Sequence, residues 1–186
     1  MTDFTTHTKT TAPAASLPLL ERAAKAYSFI PNLLATMATS PQLLEAYMAV
    51  SALLDKTPFT ETERQIILMT NNRLNGCQYC MAAHTTISQM AGVKADVIEA
   101  LRTGSPLRDS KLEALRTFAV VINETRGWPG DADVEAFLAA GYTKEAVLNV
   151  VLATALKVMS NYTNHIAATP IDDAFSASAW AAETAA

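Results

Sequence analysis

Cysteine is nearly absent from this chain: two residues in 186, Cys77 and Cys80. That is too few for the disulfide framework of a small secreted domain. Glycine is scarce, at six residues, aromatic residues make up 7%, and β-branched runs are few, while alanine is abundant. This balance points to helices. There is no Lys/Arg-rich run, the formal net charge is −4 and the pI is about 5.3, so nucleic acid is not an expected partner. Long apolar runs are missing too. The longest stretch, around Ala146–Met159, is interrupted by Asn149, Thr154 and Lys157 and is too short and polar to span a bilayer. The opening MTDFTTHTKTTAPAAS has no apolar signal-peptide region. No membrane partner and a cytoplasmic location are therefore expected. With no glycine-rich phosphate loop, Ser-His-Asp set or haem motif, no bound cofactor is expected either.

Half of the residues are hydrophobic and 17% are charged, which suits a single all-α domain. Residues 1–16 are expected to form a flexible arm and residues 17–186 the domain. A first helix is read from Leu19, Leu20, Ala23, Ala24 and Tyr27, with Pro31 after it and a short turn at Asn32–Thr39. Ser40-Pro41 opens a helix to about Lys56. Thr60-x-x-Glu63 is a capping box and opens another to about Leu74. Its middle, Ile66–Met69, is apolar on all sides and so central. Asn75-Gly76 breaks it, and a helix from Cys77 to about Met90 follows. Further helices are read over Lys94–Thr103, from Asp109 to Glu124, over Asp131–Ala139, and from Thr143 to about Ala168, with a tail holding Phe175 and Trp180.

The stretch NGCQYCMAAH gathers both cysteines and a histidine. On a helix Cys77 and Cys80 stand at i,i+3, and Cys80 and His84 at i,i+4, so all three share one face. The sulfurs sit in the first turn, where free N–H groups and the helix dipole favour a thiolate. His84 can relay a proton or stabilise that thiolate. These are the parts of a two-cysteine redox cycle: one thiolate is oxidised to a sulfenic acid, the other resolves it, and an external dithiol restores the pair. A zinc site would need a fourth ligand, for which His165 is the candidate, and no second cysteine pair exists; no metal is expected. Two inert buried cysteines and a structural disulfide are the other readings. Tyr79 should point away from the cysteine face, toward a subunit contact; Met69, Met81, Met90 and Met159 read as core.

ERQIILMTNNRLNGCQYCMAAHTTISQMAG (core motif 60–92) resembles the carboxymuconolactone decarboxylase / AhpD-like superfamily, in its alkylhydroperoxidase-like, peroxidase-related branch. The C-terminal run NYTNHIAATPIDDAF resembles it more loosely. The resemblance implies an AhpD-like helical domain that forms a homo-oligomer, trimer or hexamer. It also implies an enzyme that reduces a hydroperoxide substrate with electrons from a lipoyl-type or thioredoxin-like dithiol. Cys80 would be the peroxidatic cysteine, Cys77 its partner and His84 the relay histidine, although position alone equally allows Cys77, nearest the helix start, as nucleophile. The family's glutamate, twelve residues before the first cysteine, is here Gln65, which can hold a hydrogen bond but cannot take a proton. Glu61, one turn earlier on the same face, and His165 are the candidates for the missing end of the relay. Two alternatives stand beside this reading: a lyase of the carboxymuconolactone decarboxylase type, whose members generally lack the cysteine pair, and a non-enzymatic thiol redox switch.

Overall fold

Capping side chains mark where the helices begin. In the structure, a computed structural model that describes residues 4–181, Ser40, Thr60, Asp109 and Thr143 each accept a backbone N–H at a helix start. The first three residues of the expected arm and the last five of the domain lie outside the described residues. The order is α1 (Leu17–Tyr27), α2 (Asn32–Met37), α3 (Pro41–Leu54), α4 (Glu61–Leu74), α5 (Gln78–Met90), α6 (Ala95–Thr103), α7 (Ser110–Glu124), α8 (Asp131–Ala139) and α9 (Lys144–Ala167), with short 3-10 turns at Ala14–Ser16 and Asp173–Ser178. No strand occurs among the described residues. No single described helix is long and apolar enough to cross a membrane.

Helix α4 is the axis of the molecule, as its apolar middle implies. It packs against α5, α6, α7 and α9, and Gln65 through Asn72 are all buried. On one side Ile66, Ile67 and Met69 join Leu115, Phe118, Phe137 and Val150 in the larger core. There Phe137 is stacked between Phe118 and Tyr142, with ring centroids 4.3 and 4.5 Å apart. A second cluster gathers Leu20, Leu34, Met37, Leu44 and Phe175 around Cys77, Tyr79 and Cys80.

Several expectations are corrected. Residues 32–37 form α2 and not a turn, because a distant group caps them: the Asp172 carboxylate accepts the Asn32 N–H at 3.1 and 3.2 Å. Tyr79 does not face outward; it is 4% exposed, donates its hydroxyl to Asp172 and accepts the Leu33 N–H. It thereby ties the C-terminal segment and α2 to α5. Met90 is surface, whereas Met69 and Met81 are core. The described part of the expected arm, from Phe4, lies against α2: the His7 N–H donates to Ala35 O at 3.3 Å and the buried Ser16 hydroxyl to Ala38 O at 2.8 Å.

Candidate functional site

The joint between α4 and α5 sets the sulfurs. Gly76 has φ +66, a conformation open to glycine at little cost. Its N–H bonds to Arg73 O at 3.0 Å, and the Cys77 N–H reaches back to Asn72 O at 2.9 Å. This pair of bonds ends α4 as a Schellman motif. The chain turns at once into α5, with Cys77 as the N-cap residue and Cys80 in the first turn. Cys77 is therefore not the first helical residue, as the spacing suggested, but the residue before it.

Both cysteines are free, and they are 1% and 2% exposed. They face the second half of α9, where Lys157, Ser160, Asn161 and Asn164 follow one another at i, i+3, i+4 and i+7 and are all buried. The Asn164 amide N–H donates to Cys80 Sγ at 3.2 Å and lies 3.6 Å from Cys77 Sγ. An asparagine network braces this wall: Asn161 donates to Asn72 at 3.1 Å, Asn75 to Asn161 at 2.8 Å, Asn123 to Asn75 at 3.2 Å, and Asn72 to Cys80 O at 3.2 Å. Such a network fixes side chains because each buried amide that loses its partner is costly.

A second chain of contacts runs past the sulfurs. Glu61 Oε1 accepts Gln65 Nε2 at 2.7 Å, Gln65 Oε1 meets His84 Nδ1 at 2.8 Å, and His84 Nε2 meets Lys157 Nζ at 3.0 Å. The carboxylate can only accept, so the Gln65 amide nitrogen faces Glu61 and its oxygen faces His84. That oxygen also only accepts, so His84 carries its proton on Nδ1. Its Nε2 lone pair is left to accept from Lys157. Glu61 also takes an ion pair from Arg64.

The electrostatics follow from this packing. Burial and the Lys157 ammonium hold His84 well below the ordinary imidazole range. Cys77 is pushed up by its hydrogen bond to Cys80 and by burial. Burial also works to raise Cys80, but it is outweighed by hydrogen bonding from Cys77, the Lys157 charge and the Ser160 and Asn161 side chains, which bring Cys80 below the ordinary thiol range. The packing thus favours negative charge on Cys80 and keeps Cys77 protonated.

The structure brings Cys77, Cys80 and His84 to one wall and joins Gln65 and Glu61 to them. His165 stays out: it is exposed on the far side of α9, so neither the sketched zinc set nor a relay through it assembles. Among the described residues no cluster of His, Cys, Asp or Glu is placed to hold a metal ion. Lys157, Ser160, Asn161 and Asn164 were not picked out from the sequence. Their signal was the register they continue from Ala146, Val150 and Ala153.

Residues 41–122 match the Carboxymuconolactone decarboxylase family model. No functionally curated protein matches the chain. Among solved structures, an uncharacterized peroxidase-related protein with an alkylhydroperoxidase AhpD core from Ralstonia eutropha JMP134 superposes with TM-score 0.82 at 23% identity, over 92% of this chain and 93% of that one. An uncharacterized peroxidase-related protein from Silicibacter sp. TM1040 gives 0.76 at 20%, over 88% and 87%. The debrominase Bmp8, a cysteine-to-alanine variant in complex with 2,3,4-tribromopyrrole, gives 0.79 at 19%, over 96% of each chain. The residues matched to the family model take in the joint, both cysteines and His84, and the helical fold of the whole chain is shared with these AhpD-like structures.

Proposed function

We propose that the chain reduces hydroperoxides with its cysteine pair. The observation that carries this reading is the pair itself: two buried free cysteines at the start of one helix with a single asparagine amide across both sulfurs, in surroundings that hold Cys80 low and Cys77 high. The Cys80 thiolate attacks the terminal oxygen of the hydroperoxide. The S–O bond forms, the O–O bond breaks, and sulfur gives up two electrons, leaving a sulfenic acid and an alkoxide that takes up one proton to leave as the alcohol. Cys77 then attacks that sulfur, the disulfide forms and water leaves. An external dithiol, lipoyl-type or thioredoxin-like, reopens it by exchange.

Two further observations support this reading. Asn164 Oδ1 is buried without a partner among the described residues, and a hydroperoxide O–H is a donor that suits it. A cavity of about 430 Å³ lined by Phe4, Leu43, Val158 and Ile166 shares Met37 and Met159 with the cluster around the sulfurs. Its walls favour an organic hydroperoxide with an apolar tail. The test is hydroperoxide consumption with a dithiol, beside Cys80→Ser and Cys77→Ser. Cys80→Ser is expected to lose at least a hundredfold, and Cys77→Ser to accumulate a sulfenic acid on Cys80 that a dimedone-type trap labels. A wild-type protein with both thiols reduced that consumes neither hydrogen peroxide nor apolar hydroperoxides would overturn the reading.

A further inference from the structure

Lys157 is a charged side chain in a place that needs explaining. It is 1% exposed, and the ion pairs among the described residues are Arg64 with Asp55 and Glu61, and Arg116 with Glu113. Among the described residues no carboxylate meets Lys157. Its hydrogen-bond partner is the neutral Nε2 of His84, which can orient an ammonium but cannot balance its charge. A buried ammonium needs an anion or it sheds its proton. The ionisable groups that interact electrostatically with Cys80 are Tyr47 on α3, Cys77 and Tyr79 around the joint and Lys157 on α9, and His84 on α5 holds Lys157. Burial holds both tyrosines protonated, aided for Tyr79 by its bond to Asp172. The remaining anion is the thiolate.

We propose that Lys157 is the counter-ion of the Cys80 thiolate and the source of the proton that its oxidation consumes, with His84 as the neutral acceptor that aims it. This rests on the thiol chemistry above and departs from a histidine relay for a geometric reason. The Nδ1 proton of His84 points at an amide oxygen, and an amide does not pass a proton on to Glu61. Proton supply from that side ends at Gln65.

The balance closes inside the site. The thiolate, the hydroperoxide and the Lys157 ammonium give a sulfenic acid, an alcohol and a neutral amine. The Cys77 thiol and the sulfenic acid give the disulfide and water. The entering dithiol brings two protons, one kept by Cys77 and one returned through Cys80 to Lys157. When the thiolate is consumed, Lys157 loses its counter-charge, so release of its proton coincides with the alkoxide's need for one.

The test does not depend on turnover. Thiolate absorbance near 240 nm and the rate of alkylation by a small haloacetamide are followed against pH in the reduced wild type, Lys157→Met and His84→Asn, with Cys80→Ser as the blank. In the wild type and in His84→Asn the Cys80 midpoint is expected well below the ordinary thiol value of about 8.5. In Lys157→Met it moves above that value, and alkylation at pH 7 slows at least tenfold. Unchanged titration in Lys157→Met, or a rise in His84→Asn as large as that in Lys157→Met, would overturn the assignment. Should Lys157→Met fail to fold by circular dichroism, the wild type alone decides. One equivalent of hydrogen peroxide added in weak buffer at pH 7 is expected to leave the proton balance unchanged, because protein and peroxide exchange two protons internally. Uptake of one proton per oxidised pair would mean that Lys157 keeps its own. A peroxidase that fails with a titration that succeeds would sink the catalytic reading and leave the ion pair standing.

Discussion

Helix α9 has two halves that bury the same stripe by opposite means. Up to Ala153 the inward residues are Ala146, Val150 and Ala153; from Lys157 onward they are Lys157, Ser160, Asn161 and Asn164. The first half lies in the apolar core with α4, α7 and α8, and the second closes over the cysteines. Apolar burial supplies stability directly. Polar burial supplies it only while every partner is in place, and replacing such groups by apolar ones of similar shape is often neutral or stabilising. The second half is therefore where the fold gives up easy stability to hold a charge and a set of fixed dipoles beside a reactive sulfur.

The largest effect expected from breaking this contrast is in the apolar core that the first half of α9 joins, at Phe137 on α8. Phe137 is 1% exposed and stacked on both sides. Phe137→Ala should cost about 3–5 kcal/mol in chemical denaturation, while the alkylation rate of Cys80 per folded molecule stays at the wild-type value. A changed rate would mean that the two halves are coupled and that the division is false.

A smaller effect is expected in the polar half. Asn161 is fully buried and joins Asn72 to Asn75. Asn161→Ala leaves one acceptor and one donor without a partner, at about 1–3 kcal/mol for each buried group stranded, with about 2–3 kcal/mol expected in all. Unlike Phe137→Ala, it should also raise the Cys80 midpoint, since the Asn161 side chain is one of the groups that hold Cys80 below the ordinary thiol range. Loss of stability with an unmoved midpoint would make Asn161 a brace only.

The same contrast explains what could be read from sequence. The caps at Ser40, Thr60, Asp109 and Thr143, the central α4 and the boundaries of α8 follow from local signals, and the structure agrees with them. The cysteines and His84 share a face because i,i+3 and i,i+4 neighbours on a helix do. Helix α2 was missed because its cap, Asp172, lies 140 residues away in sequence. Lys157 was read only as an interruption that rules out a membrane span. Locally, a buried lysine is indistinguishable from a surface one; only the continued stripe from Ala146 shows which way it faces. Gln65 and Glu61 were found through spacing, but their order in one chain with His84 depends on which end of an amide faces a carboxylate, and that is a tertiary fact.

The smallest effect expected is also the one that reads the polar half without mutating it. Three groups that face it from α5 and its N-cap titrate differently folded and unfolded, and their directions fix the shape of stability against pH. His84 is held low, so below about pH 6.5 the unfolded chain binds a proton that the folded site refuses, and stability rises as pH climbs toward that value. Cys80 is held low, so from its folded value up to about 8.5 the unfolded chain keeps a proton that the folded site has lost, and stability rises again. Cys77 is held high, so above about 8.5 only the unfolded thiol ionises and stability falls. Denaturation midpoints under reducing conditions between pH 5 and 10 should therefore peak near the ordinary thiol value of about 8.5, above the usual range of about pH 5–8. Cys80→Ser should erase the rise between about 6.5 and 8.5 and soften the alkaline fall, because the thiolate that holds Cys77 high is gone, while leaving the histidine rise intact. A wild-type curve flat across the thiol range would show that the two sulfurs ionise alike folded and unfolded, and the polar half of α9 would then hold no charge at all.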